Sequence, residues 1–276
     1  MQQLLDFAKI EATGNDFIMI DGRTVKKGVI NSMLISRLCD RHFGIGADGL
    51  IRLGYTTGQQ LAMQYYNSDG SEARMCGNGL RAFMLYGFIL GLIPRNEICR
   101  VSASDGMHHC IIKSPELIKV EIFARAEIQM SLNELAAPRT LRILGSQNTG
   151  VPHLVLEVKG DLDKINVTEL GRRLRNHPAF SPDGTNVNFV KRHSNSHLQV
   201  RTYERGVEGE TLSCGSGVTA SAVVCWNYYN DPADAYLVDT KGGRLTALRE
   251  GGRYYLQGAA HAAFVGRAMH PDSLND

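Results

Sequence analysis

The sequence lacks the features that would tie it to a membrane, a nucleic acid or an oxidising compartment. Its 30 basic and 28 acidic residues leave a formal net charge of +2, with no basic stripe and no long charge run. That balance excludes polynucleotides and anionic lipid surfaces as natural partners. Long apolar runs are missing too. The longest, Leu80 to Ile93, is interrupted by Arg81 and too short to cross a bilayer, so it reads as a buried helix. The start, Met1-Gln-Gln-Leu-Leu-Asp-Phe7, has neither the basic nor the extended apolar region of a signal peptide. Cysteines are few and scattered, at positions 39, 76, 99, 110, 214 and 225, with no Cys-x-x-Cys pair. This argues against a zinc site or a thioredoxin-type motif, and a chain of this length needs no disulfides for its core. The expected location is a reducing cytoplasm. Cys39, Cys99, Cys110 and Cys225 sit among apolar neighbours and read as small core residues.

What is present is a repeat. Glu72-Ala-Arg-Met-Cys76-Gly-Asn-Gly-Leu-Arg-Ala82 returns as Glu210-Thr-Leu-Ser-Cys214-Gly-Ser-Gly-Val-Thr-Ala220, 138 residues later (214 − 76), half of the 276-residue chain. Gly46-Ala-Asp48 precedes Gly184-Thr-Asn186, and Asn67 precedes Arg205, by the same interval. Thr13-Gly-Asn-Asp-Phe17 precedes Thr149-Gly-Val-Pro-His153 by 136 (149 − 13). Four matches in one order indicate a duplicated unit, hence two lobes with one cysteine each: residues 1–128 carrying Cys76 and 129–276 carrying Cys214, the last residues being able to return to the first lobe. At 43% apolar and 21% charged the composition is that of a globular protein.

Turn signals and alternation predict strands over Leu5–Ile10, Asp16–Asp21, Leu50–Leu53, Leu61–Tyr66, Glu97–Val101, Cys110–Lys113 and Leu117–Phe123 in the first lobe. The second lobe predicts strands over Pro152–Val158, Val187–Lys191, Leu198–Tyr203, Tyr236–Asp239, Arg244–Leu248 and Tyr254–Gln257. Helices are predicted over Met33–Cys39, capped by Asn31-Ser32, over Thr168–Arg175, and after each repeated cysteine. The helices after Cys76 and Cys214 are apolar on nearly every face and belong inside their lobes. The fold class is therefore α+β: two pseudo-symmetric lobes, each a mixed, curled sheet around a central buried helix, with the active site expected in the cleft between them.

A helix N-terminus presents unpaired N–H groups and positive potential, and glycines flanking Asn78 and Ser216 let a ligand approach that backbone. A carboxylate suits such a site. A cysteine in the first turn has a stabilised thiolate, its pKa falling to about 3.5–7.5. Two such motifs facing one another suit inversion at a carbon α to a carboxylate, one thiolate removing the proton and the opposite thiol returning one. The pattern Gly-x-Gly-x-x-Ala also fits a dinucleotide fingerprint in both copies. That alternative gives the cysteines no role and lacks the acidic residue about 20 positions on.

Together these segments closely resemble the diaminopimelate epimerase family of the pyridoxal-phosphate-independent two-cysteine racemases. The resemblance runs through Ala12–Phe17, Arg41–Asp48, Asn67–Glu72, Cys76–Gly79, Gly184–Asn186, Tyr203–Gly206 and Cys214–Gly217. Asn rather than His after Cys76-Gly separates the chain from the proline racemase branch. By resemblance, Cys76 and Cys214 are the acid–base pair, with His153 and Glu204 tuning them. Gly77, Asn78, Gly215 and Ser216 hold the reacting carboxylate, and Asn15, Asn67, Asn186, Glu204 and Arg205 bind the rest of the substrate. The resemblance implies a cofactor-independent enzyme that interconverts LL- and meso-diaminopimelate for lysine and peptidoglycan precursor synthesis. Its partner is then a small amino acid, no metal or other cofactor is needed, and a homodimer is allowed. Two departures stand out: some members carry Gln at the position of Gly49 and many carry Asn at that of Val151. They leave open a related racemase for another amino acid, such as histidine; readings of a different class are a non-catalytic amino-acid-binding protein with idle thiols and a nucleotide-dependent oxidoreductase.

Overall fold

The computed structural model describes residues 4–25, 28–125 and 138–269. It divides into two compact units, Met1–Val120 with Gly258–Asp276, and Glu121–Gln257. The division expected at 128/129 lies outside the described residues. The strand over His261–Met269 belongs to the first unit.

In the first unit the strands are β1 (Leu4–Ala12), β2 (Asn15–Asp21), β3 (Gly49–Tyr55), β4 (Leu61–Asn67), β5 (Cys99–Ala103), β6 (Gly106–Ser114) and β7 (Leu117–Ile122). Helix α1 (Ser32–Cys39) lies between β2 and β3, and α2 (Gly77–Ile89) between β4 and β5. Neighbours pair in chain order: antiparallel, parallel, antiparallel, parallel, antiparallel, antiparallel. The two parallel pairs occur where a helix intervenes, because parallel neighbours need a crossover whereas a tight turn suffices for antiparallel ones.

The second unit contains β8 (Leu141–Asn148), β9 (Pro152–Val158), α3 (Val167–Arg175), β10 (Asn186–Ser194), β11 (His197–Glu204), β12 (Gly209–Thr211), α4 (Gly215–Tyr229), β13 (Ala235–Thr240), β14 (Gly243–Glu250) and β15 (Arg253–Gly258). Setting aside the short β12, which pairs with β11, its strands repeat the same order of antiparallel and parallel pairs. The sequence repeat is thus a repeat of topology. The closing strand β16 (His261–Met269) adds to the first unit, antiparallel to β1.

Each unit has an outer and an inner helix. Asn31 caps α1 by accepting from the Leu34 N–H, and Asn166 caps α3 by accepting from Glu169, whose carboxylate in turn accepts from the Asn166 amide. These helices are amphipathic. Leu34, Ile35 and Leu38 of α1 pack with Ile18, Ile20 and Leu50 of the sheet, while Val167 and Leu174 of α3 pack with Leu156, Phe189 and Tyr203. Gly171 in α3 is required, since a Cβ there would lie 2.3 Å from Cβ of Tyr203. The inner helices α2 and α4 are buried around almost their whole circumference. Helix α2 touches β1, β2, β3, β4, β6 and β16, and α4 touches β8, β9, β10, β11 and β14. One helix in contact with that many strands means a sheet curled around it, as the sequence predicts.

Three strands were not foreseen. Strand β8 is irregular between Ile143 and Gly145, which breaks its alternation. Strand β12 spans three residues. Strand β16 is exposed or half-buried along its length and carries no hydrophobic period. Among the cysteines read as core, Cys39, Cys110 and Cys225 are buried, but Cys99 is only half-buried. No helix among the described residues is long and apolar enough to cross a membrane.

Candidate active site

Both repeated cysteines are N-caps of the inner helices. Cys76 stands before Gly77, the first residue of α2, and Cys214 before Gly215, the first of α4. Their backbones are extended, at φ −126° and −115°, so each thiol projects at the point where helical N–H groups begin.

In the first unit, Cys76, Asn15 and Asn78 form one network. The Gly79 N–H donates to Cys76 Sγ (3.4 Å), and the thiol lies 3.6 Å from Asn15 Oδ1. That same oxygen accepts from Asn78 Nδ2 at 3.4 Å. The other end of the Asn15 amide donates to Asp48 Oδ2 at 2.7 Å, which fixes its orientation. Asp48 is anchored by Arg41, which also binds Asp16 at 2.7 Å. Asp16 meets Lys9 at 2.6 Å. Burial raises the Asp16 pKa, but hydrogen bonds and charges from Arg41 and Lys9 outweigh it and bring the group to about 2. The run Arg41 to Asp48 is therefore a clamp that holds Asn15. Asn67, at the end of β4, pairs in register with Gly49. Its side-chain amide donates to Ser71 Oγ (3.0 Å) within the turn that follows, so the structure does not tie it into the Cys76 network.

Gly49 is held in a tight space. A Cβ there would lie 2.4 Å from the Tyr66 carbonyl oxygen and 2.6 Å from the Tyr65 ring. The departure from Gln at this position thus has a physical reason in this chain: Tyr65 occupies the room a side chain would need.

In the second unit, His153 is the hub. It is fully buried on β9, opposite Asn186 in the parallel ladder to β10. Asn188 accepts from Thr202 Oγ1 through its Oδ1, so its Nδ2 faces His153 Nδ1 at 3.2 Å. With Nδ1 the acceptor from Asn188, the ring proton is assigned to Nε2, which lies 3.1 Å from Ser216 Oγ and a longer 3.5 Å from Asn186 Nδ2. Ser216 Oγ in turn lies 3.4 Å from Cys214 Sγ. Desolvation, reinforced by the nearby Arg205 charge and only partly opposed by Asn188, pulls the His153 pKa down to about 3. The imidazole is neutral at every ordinary pH and serves as a fixed hydrogen-bond donor. Asn186 accepts from the Arg205 N–H at 2.7 Å, and Arg205 Nη1 donates to the Asp183 carbonyl at 3.2 Å. Glu204 ends β11, half-buried beside Arg205. Gly217 explains the last glycine of the motif, because a Cβ there would lie 2.4 Å from Asn188 Oδ1.

Two buried thiols, Cys39 and Cys225, lie outside these networks. Burial pushes Cys39 and Cys225 up to about 12, so they stay protonated. Three supporting residues escaped the sequence reading: Asp48, which orients Asn15; Asn188, which sets the His153 tautomer; and Arg81, fully buried behind Asn78. Their signals were present, since Asn188 and Arg81 are polar residues inside otherwise apolar elements.

Two repeated units, each a mixed sheet curled around a buried helix that begins at a cysteine, define a fold shared with solved isomerases and their kin. A phenazine biosynthesis protein of the PhzF family from Bacillus anthracis superposes with a TM-score of 0.74 at 14% identity, covering 97% of this chain and 99% of its own. A hydroxyproline epimerase from Agrobacterium vitis does so with a TM-score of 0.73 at 13% identity, covering 99% and 95%. Sequence narrows the class. The family profile described as diaminopimelate epimerase matches residues 7–122 and again 145–261, one match for each repeat. The diaminopimelate epimerase of Flavobacterium psychrophilum is 38% identical over 237 residues, 86% of this chain and 88% of its own. That of Aquifex aeolicus is 34% identical, covering 95% and 97%. The chain belongs to the diaminopimelate epimerase family, a family of isomerases.

Proposed function

We propose that this protein epimerises LL-diaminopimelate to the meso form by moving a proton between two thiols, without a cofactor. The observation that carries this reading is the repeated cysteine N-cap: each inner helix of a family member begins at a thiol followed by the backbone N–H groups of a helical first turn. One thiolate takes the α-proton, the Cα–H bond electrons pass into the carboxylate, and the opposite thiol delivers its proton to the other face. Nothing is oxidised or reduced, and the pair ends with the proton on the other sulfur. The reading requires both thiols to reach one carbon, with coupled titrations.

The N–H groups at Gly77, Asn78, Gly215 and Ser216 are assigned to the reacting carboxylate, where each donor aimed at developing charge contributes about 2.7–4 kcal/mol. Arg205 takes the distal carboxylate through its guanidinium fork. Asn15, Asn67, Asn186 and Glu204 receive the second amino-acid end. His153 acts through Ser216 on Cys214, and Glu204 tunes the same side. The ligand is a small amino acid, the setting is the cytoplasm, and a homodimer fits the reading. Incubating the purified protein with LL-diaminopimelate, with no pyridoxal phosphate and with chelator present, should yield the meso form on chiral analysis. Turnover that begins only when pyridoxal phosphate is added, or no inversion at all, overturns the proposal.

A further inference from the structure

Strand β3 begins at a glycine that lies under a phenol. A Cβ on Gly49 would lie 2.6 Å from the Tyr65 ring and 3.3 Å from its hydroxyl oxygen. Tyr65 is half-buried on β4 and stands edge-on to Phe17, with ring centroids 5.7 Å apart.

Strand register fixes the face on which this ring lies. Phe17 pairs with Gly49, and Ile51 with Tyr65, while the alternate residues Ile18, Ile20 and Leu50 pack with α1. Phe17, Gly49, Ile51, Tyr65 and Asn67 therefore share the opposite face. The first turn of α2 lies against it: a Cβ on Gly79 would meet Ile51 Cδ1 at 3.0 Å, Cys76 Cβ at 3.4 Å and Phe17 Cζ at 3.6 Å. Along β4 this face opens outward, from buried Met63 through half-buried Tyr65 to exposed Asn67. Tyr65 thus stands where the Cys76 half-site passes from core to solvent. Packing alone would be served there by phenylalanine, so the hydroxyl calls for a polar role.

The repeat supplies an internal comparison. In the second unit the same register pairs His153 with Asn186, and Asn188 with Thr202. By ladder position, Asn186 stands where Gly49 stands and Thr202 where Tyr65 stands. That wall is polar: Asn186 Oδ1 accepts from the Arg205 N–H at 2.7 Å, and the Thr202 hydroxyl donates to Asn188 Oδ1 at 3.0 Å. In the first unit Phe17 and Ile51 are apolar where the second has His153 and Asn188, and Gly49 carries no side chain. The Tyr65 hydroxyl, set over Gly49, supplies the polar group that Asn186 supplies in the other wall.

We propose that Tyr65 is a further substrate-binding, specificity-determining residue, its hydroxyl joining Asn15 and Asn67 at the distal amino-acid end of the substrate in place of a side chain at position 49. A phenol both donates and accepts, which suits the ammonium and the carboxylate of that end. The assignment rests on the proposed function in taking diaminopimelate as the ligand, but binding can be measured without turnover. The test is Tyr65→Phe, which keeps the ring against Phe17 and removes one oxygen. In the full chain, kcat/KM for LL-diaminopimelate should fall about 10-fold or more, most of it through KM, because a contact far from the reacting carbon holds ground and transition states alike. Calorimetric titration with meso-diaminopimelate should show a similar weakening, and the urea midpoint should stay in place. A kcat/KM within about twofold of the unsubstituted protein's overturns the proposal. So does a fall carried by kcat with KM unmoved, or one accompanied by lost stability, which would make the hydroxyl a support of the fold. A protein whose titration weakens as expected but which does not invert diaminopimelate would refute the proposed function and leave Tyr65 its role. One that inverts it equally well with Phe at position 65 would do the reverse.

Discussion

His153 offers a sharp test because its burial makes a prediction about stability as well as chemistry. Replace it with Gln, which keeps polar atoms near Asn188 and Ser216 but cannot titrate. Histidine has an ordinary pKa of 6.5, and burial takes His153 down to about 3. The sign follows from proton uptake: between these values the unfolded chain binds a proton that the folded chain does not. Stability is therefore fully present above the unfolded pKa and falls as pH drops from there toward the folded value. Between about pH 8 and about pH 5, this one group should cost the native protein about 2 kcal/mol, a figure set almost entirely by the unfolded pKa. The assay is urea denaturation of both proteins at the two pH values. His153→Gln should be less stable at the higher pH, by about 1–3 kcal/mol for the disturbed hydrogen bonds. It should nevertheless lose about 2 kcal/mol less than the native protein on acidification. Equal acid sensitivity in the two proteins would mean that His153 titrates normally, and the neutral donor to Ser216 would have to be abandoned.

Two further outcomes follow from the geometry. Gly49→Gln places a Cβ against the Tyr66 carbonyl and the Tyr65 ring, and should destabilise the protein by about 1–3 kcal/mol or more in the same assay; unchanged stability would show that the site has room for the family's longer side chain. Arg205→Ala should lower kcat/KM for diaminopimelate by about 10- to 100-fold through loss of a charged hydrogen bond. Arg23→Ala, which breaks the pair with Asp21, should change it less than about twofold, and an equal effect at both positions would remove Arg205 from the site.

The architecture was legible because it is written twice. The interval of 138 residues between Cys76 and Cys214 reveals the duplication, and apolarity on every face marks α2 and α4 as inner helices. The strands that escaped notice have physical reasons for doing so: β8 is irregular at Gly145, and β16 is an exposed edge with no buried face to impose alternation. Within the candidate half-sites, the sequence reading named the thiols and amides but not the residues that hold them. Asp48 acts on Asn15 from 33 residues away, and Asn188 meets His153 across 35. Contacts of that span depend on strand register, which spacing alone does not reveal. Arg81 was visible as an interruption in an apolar run, and only its complete burial gives that interruption a meaning.

The central claim, that opposed thiols at Cys76 and Cys214 exchange the α-proton, is tested most directly by following epimerisation of LL-diaminopimelate in deuterated water. A thiol carries one exchangeable hydrogen, and the donor thiol equilibrates with solvent before each turnover. Inverted product should therefore contain deuterium at the reacting carbon from its first appearance, while early recovered substrate keeps its hydrogen. Replacing either cysteine with Ala should abolish inversion. Substantial substrate-derived hydrogen in early product would mean that one base serves both faces, and would contradict the two-thiol account.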